Sequence, residues 1–126
     1  MTQIRSYRDL KVWQLGIDIS KQIYKLTSEF PRQEIYGITA QIRRAVTSIP
    51  ANIAEGHGRD STKEYLRHLS IAMGPLAECE TFLHLAVELN YLSQSEAKRV
   101  FALFDEEGRM IRGLQKSLRS RLKPSA

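Results

Sequence analysis

The residues most able to do chemistry are cations near the C-terminus. Arg109, Arg112, Lys116, Arg119 and Lys123 follow one another at steps of 3, 4, 3 and 4. On a helix that spacing places all five on one face, a row about 20 Å long at 1.5 Å per residue. Such a row matches a phosphate backbone and would bind it by counterion release. The alternative is a solvated face whose charge complements the negative end of the helix dipole. A shorter line, Arg59, Lys63 and Arg67, has the same two readings. It opens a helix, where positive charge opposes the dipole. Neither row is interleaved with aromatic residues, so duplex or folded RNA read by shape fits better than stacked single strands.

The remaining reactive types give less. Glu80, His84 and Glu88 share a helical face, but a Glu-x-x-His pair of the kind that holds two metals in four-helix bundles is missing. No catalytic, metal or cofactor site is expected. His57 stands between two glycines as a turn residue, and His68 beside Arg67 is expected at the surface. Cys79 is the only cysteine and lies among apolar neighbours, so it is expected in the core. The polar cluster Asn52, Glu55 and Arg59 follows Pro50. Its expected role is structural: either Glu55 paired with Arg59 or Arg44, or the Asn52 side chain capping a backbone group that Pro50 frees.

The elements that must carry these residues read as helices throughout. The chain has 126 residues, 42% of them apolar and 26% charged, which is ordinary for one globular domain spanning 1–126. The formal charge of +5 is uneven: residues after Gly108 carry +6 with no acid, and residues 1–108 sum to −1. A basic tail of this kind points to an anionic partner. No run of 18 apolar residues exists, and the first residues lack a signal-peptide core, so a cytoplasmic, membrane-free protein is expected.

Helix 1 is expected from about Arg8 to Ser28, with two apolar sets. Val12, Ile19, Ile23, Leu26 and Phe30 form one stripe; Leu10, Trp13, Ile17 and Tyr24 form another. Together they are wider than a monomeric bundle requires. The second set is either the rim of a broad core face or an interface with another subunit. Helix 2 follows the turn Phe30–Gln33 and runs to about Glu55. Its apolar phase continues through Pro50, which predicts one kinked helix stopped by Gly56 and Gly58 in the left-handed conformation. Ser61-Thr62-Lys63-Glu64 is a capping box that opens helix 3, which reaches Asn90 with a second expected kink at Gly74-Pro75. Ser93-Gln94-Ser95-Glu96 opens helix 4. Four such helices joined by short connections predict an all-α, antiparallel up-down-up-down four-helix bundle.

Across these residues the chain resembles the four-helix-bundle family encoded in intervening sequences of bacterial 23S ribosomal RNA genes. Tyr7-Arg8-Asp9-Leu10-Lys11-Val12-Trp13, Gln41-Ile42-Arg43-Arg44-Ala45 and Ser48-Ile49-Pro50 with Asn52-Ile53-Ala54-Glu55-Gly56 carry the likeness, joined by Glu64-Tyr65, Ile71-Ala72 with Gly74, and Glu78 with Glu80-Thr81. More distantly, that family is similar in fold to the accessory variability determinant proteins of diversity-generating retroelements. The resemblance implies a homopentamer of bundles forming a tapered barrel, without known enzymatic activity. The retroelement relatives imply RNA or DNA and a reverse transcriptase as partners. Pro75 departs from the small residue expected after Gly74, and Cys79 from a common leucine.

Overall fold

A computed structural model describes residues 4–122. Four helices carry the chain: α1 (Lys11–Thr27), α2 (Ile38–His57), α3 (Thr62–Glu88) and α4 (Gln94–Leu122), and no strand occurs among the described residues. α1 packs on α2, α2 on α3, α3 on α4, and α4 closes back onto α1, while α1 and α3 face each other diagonally without close backbone approach, as do α2 and α4. This is the arrangement of a four-helix bundle. No described helix is long and apolar enough to cross a membrane.

The core follows the three-four spacing of the sequence. Ile19 and Ile23 of α1, Ile42, Ile49 and Ile53 of α2, Leu69 and Leu83 of α3, and Phe104 and Ile111 of α4 are shut from solvent. Cys79 is buried with them, its thiol 4.0 Å from the Ile42 carbonyl. Burial pushes that thiol up to about 12, so it stays protonated and unreactive.

The ends of the helices show where local chemistry decided. Ser61 Oγ accepts from the Glu64 N–H at 3.1 Å, which starts α3 with one half of its expected capping box, while the Glu64 carboxylate turns to Arg67 at 3.4 Å. At α4 the box is reciprocal: Ser93 Oγ accepts from Glu96 N–H, and Glu96 Oε1 accepts from Ser93 N–H. Asn90, at φ 62°, closes α3 in the left-handed conformation, and the Tyr91 N–H reaches back to the Ala86 carbonyl at 2.9 Å.

Three expectations are corrected. α1 begins at Lys11 and not Arg8, because Ser6 and Asp9 close their own box around a 3-10 turn, Tyr7–Asp9, with Asp9 Oδ2 accepting from the Arg5 and Ser6 N–H groups. α2 runs to His57, and neither Gly56 nor Gly58 takes a positive φ. Gly56 instead permits close packing: a Cβ there would lie 2.7 Å from the Cβ of His68 and 3.2 Å from the Tyr65 ring. His68 is buried, at 6% exposure, because it falls in phase with Leu69, Ala72 and the rest of the inner face of α3.

Both prolines lie inside unbroken helices. Pro50 cannot donate to the Val46 carbonyl, a loss that contributes to a cost of roughly 3 kcal/mol in a helix interior. The Ser20 hydroxyl on α1 donates to the Gly16 carbonyl of its own helix at 2.8 Å and lies 3.4 Å from the Val46 oxygen, a long secondary contact from the neighbouring helix. The Asn52 side chain donates at 2.9 Å to the Ser48 carbonyl and not to the Val46 carbonyl that Pro50 frees. Of the two structural roles expected for this cluster, the Glu55 pair is the one that forms. The glycine below Ser20 lets the two helices approach, since a Cβ on Gly16 would sit 3.1 Å from the Pro50 ring.

Candidate nucleic-acid interface

α4 gives the cationic row its shape. Phe104, Ile111, Gln115 and Leu118 point into the bundle and Gly108 is buried with them, while Arg109, Arg112, Lys116 and Arg119 are exposed along the flank of that stripe. Lys123, the fifth member of the row, lies outside the described residues. Among those residues no carboxylate comes within 4.0 Å of any of the four cations. Arg112 folds back over the bare backbone of Gly108, its guanidinium 3.3 Å from where a Cβ would stand. Its charge also reaches Glu80 on α3, whose carboxyl is raised by burial first and by Asp105 second, and is lowered in part by His84 and Arg112. The row is therefore bordered by acids at its Arg112 end and clear of them beyond it.

The register between α3 and α4 brings the second basic line to the same end of the bundle. His84 stacks on Phe101 with centroids 4.4 Å apart, Gln115 Nε2 donates to Ser70 Oγ at 3.1 Å, and the Arg121 charge acts on Tyr65. These pairs run antiparallel along both helices, so the start of α3 lies beside the last turns of α4. Within that line Arg59 is paired with Glu55 at 3.1 Å and Arg67 with Glu64 at 3.4 Å, and both pairs are exposed. Lys63 has no such partner among the described residues. Glu55 thus takes the first of its two expected partners. Its other oxygen lies 4.0 Å from His68 Nδ1, which also faces Asn52 Oδ1 at 3.4 Å. Asn52, Glu55 and Gly56 join α2 to α3 here, next to Pro50 and its link to α1.

The second apolar set of α1 divides. Leu10 and Trp13 are half-buried, Trp13 edge-on to Tyr7 at 5.2 Å, whereas Ile17 is 37% exposed and Tyr24 45%. Arg43 of α2 covers the Tyr24 ring at 4.5 Å and donates to Thr27 Oγ1 at 2.8 Å. On the diagonal helix, Ile71 and Leu85 of α3 and Leu89 at its C-terminal cap are also exposed. Apolar surface therefore lies on both of the diagonal helices α1 and α3.

One group in the interior was not foreseen. Glu107 is completely buried, and neither carboxylate oxygen has a hydrogen-bond partner among the described residues. One oxygen lies 2.9 Å from the place a Cβ on Gly16 would take. Burial, with a smaller contribution from Glu106, raises its carboxyl to about 8, so the neutral acid is the stable form at pH 7. The phase of Phe104, Glu107 and Ile111 carried this signal. No three His, Cys, Asp or Glu side chains converge among the described residues in a way that could hold a metal ion.

Comparison with known proteins adds the ancestry of this arrangement. No curated protein matched the sequence. A crystal structure of a protein with unknown function from the S23 ribosomal protein family, from Bacteroides thetaiotaomicron, superposes with a TM-score of 0.75 at 24% identity, covering 83% of this chain and 98% of the other. That likeness establishes the shared helical fold. The family model for 23S rRNA-intervening sequence proteins matches residues 8–113, from the turn before α1 to the middle of the cationic row. The chain belongs to the 23S rRNA-intervening sequence protein family.

Proposed function

We propose that the protein is a non-enzymatic accessory factor of the cytoplasm that binds structured RNA or duplex nucleic acid through the outer face of α4. Arg109, Arg112, Lys116 and Arg119 supply the phosphate contacts, with Lys123 extending the row and Lys63, Arg59 and Arg67 flanking it. The observation that supports this most is the exposure of four cations along one helix face with no carboxylate within 4.0 Å among the described residues. Phosphate contacts of this kind are sequence-independent and salt-sensitive. Titration of a structured RNA and a duplex DNA at about 50 mM salt tests the proposal. Binding that weakens in an Arg112→Glu/Arg119→Glu variant supports it, and no binding, or binding unchanged in that variant, refutes it.

A second reading is a structural or adaptor oligomer, favoured by the exposed apolar groups on both diagonal helices. Ile17 and Tyr24 on one side and Ile71, Leu85 and Leu89 on the other suit a head-to-tail contact between copies, which closes into a ring when the rotation per step allows. The homopentameric barrel implied by the family resemblance is one such closure, and a reverse transcriptase is a partner class that a ring could serve. The two readings combine readily, since repeated copies of the α4 row raise the local potential. Light scattering at five times the 14.5 kDa chain mass supports the assembly, and a strict monomer removes it.

A further inference from the structure

At the end of the bundle away from the α4 row, the last turn of α1, the turn that follows it and the first turns of α2 enclose a cleft of about 210 Å³. Sites for whole drug-sized molecules run to roughly 300–1,000 Å³, so this one suits a single chemical group. Phe30 and Ile35 give it apolar walls, Arg32 and Arg43 give it charge, and no carboxylate of the described residues lines it. The negative end of α1 and the positive end of α2 both border it, so the two dipoles offset each other and the side chains decide.

Thr39 supplies the observation that points to a ligand. Thr27, Thr47 and Thr81 donate their hydroxyls to carbonyls four residues back, but for Thr39 that residue is Ile35, which lies before α2 begins. The Thr39 side chain is only 5% exposed and its hydroxyl has no hydrogen-bond partner among the described residues. Its oxygen is not sealed from water as those of Glu107 are, so it opens into the cleft that Thr39 lines. The other two hydroxyls there have spent their protons, Thr27 on the Ile23 carbonyl and Ser28 on the Lys25 carbonyl, each at 2.7 Å. Arg43 is fixed beside them: its Nε donates to Thr27 Oγ1, one further N–H donates to the Tyr24 carbonyl at 3.2 Å, and the Tyr24 ring supports its plane. A guanidinium has five N–H groups, so three remain. Neither Arg43 nor Arg32 has a carboxylate within 4.0 Å among the described residues. The Glu34 carboxylate is committed elsewhere, to the Ile38 N–H at 3.3 Å and the Tyr91 hydroxyl at 2.7 Å.

We infer that this cleft binds a phosphate dianion, free or as the terminal group of a monoester, held by Arg43, Arg32 and the Thr39 hydroxyl. Two cations without an acid balance a double negative charge. Donors that arrive from the turn and from α2 suit a tetrahedral group whose oxygens point several ways, whereas a planar carboxylate is satisfied by one guanidinium fork. The site lies at the opposite end of the bundle from the α4 row and does not depend on the nucleic-acid reading.

Calorimetry on the full chain at constant ionic strength and about pH 8, where a phosphate monoester is a dianion, tests the inference with inorganic phosphate, phenyl phosphate and acetate. Phosphate is expected to bind one per chain, roughly tenfold or more tightly than acetate. Thr39→Val keeps the side-chain shape and removes the hydroxyl, and it should weaken phosphate by about tenfold, the value of one hydrogen bond to a charged group. Arg32→Gln, at an exposed turn position where the helical circular dichroism should stay native, should weaken it by a similar factor. Arg112→Gln/Arg119→Gln should leave it unchanged. Phenyl phosphate binding more tightly than phosphate identifies a monoester as the ligand, and equal binding identifies free phosphate. The assignment is overturned by the lack of a saturable heat, by acetate binding as tightly, by affinity unchanged in Thr39→Val or Arg32→Gln, or by loss of binding in the α4 variant.

Discussion

Ser20 on α1 holds its hydroxyl 3.4 Å from the carbonyl oxygen of Val46 on α2, the carbonyl that Pro50 leaves without its helical donor. The hydroxyl's one proton goes to the Gly16 carbonyl at 2.8 Å, so the stranded oxygen receives a long secondary contact from the neighbouring helix. Removal of that hydroxyl, in Ser20→Ala, should destabilise the fold by about 0.5–1 kcal/mol, the value of one shared hydrogen bond. In a Ser20→Ala/Pro50→Ala protein the restored helical N–H should recover much of that loss. Urea denaturation of the single and double variants measures both effects.

Glu107 makes stability depend on pH in a defined direction. Its carboxyl is raised to about 8 in the fold and returns to its ordinary value of 4.5 when the chain unfolds. Between those values the folded protein holds a proton that the unfolded chain has released, so stability falls as pH rises through this window and levels off above pH 8. The total contribution is on the order of a few kcal/mol. Glu107→Gln, which cannot ionise, should be more stable than the parent at pH 8 and should flatten this part of the profile. Thermal melts from pH 5 to 9 read the difference.

Glycines in this fold do unequal work. Gly16→Ala would drive a methyl group to 2.9 Å from the Glu107 carboxyl and 3.1 Å from Pro50, where the packing cannot give freely. A loss of about 1–3 kcal/mol is expected. Gly113→Ala meets no atom within 4 Å in the middle of α4 and should stabilise by about 0.5–1 kcal/mol through helix propensity alone. Denaturant midpoints of the two variants should move in opposite directions.

The helices were legible in the sequence because their signals are local. Ser61 with Glu64 and Ser93 with Glu96 mark two starts, and the apolar phase runs through both prolines. The box at Ser6 and Asp9 was equally local, but it was hidden inside a stretch that reads as continuous helix. His68 was expected outside because of its charged neighbour Arg67, although its spacing from Tyr65 and Ala72 places it inside. Glu107 was obscured in the same way, since a carboxylate in an apolar phase is ordinarily taken for a solvated residue. The partner of the Val46 carbonyl was beyond reach, because Ser20 lies 26 positions away and meets it only through the packing of α1 on α2. Of the candidate interface, the row on α4 and a Glu55–Arg59 pair could be read from spacing, whereas the pairing of Arg67 with Glu64 required coordinates.

The most direct test of the account is the salt dependence of RNA affinity for the parent and for Arg112→Gln/Arg119→Gln. Each phosphate neutralised adds about 0.7–0.9 to the slope of log affinity against log salt. If α4 supplies the contacts, the variant should bind more weakly at low salt and its slope should be shallower by about 1.5–2. Equal slopes for parent and variant would contradict the placement of phosphate on this face.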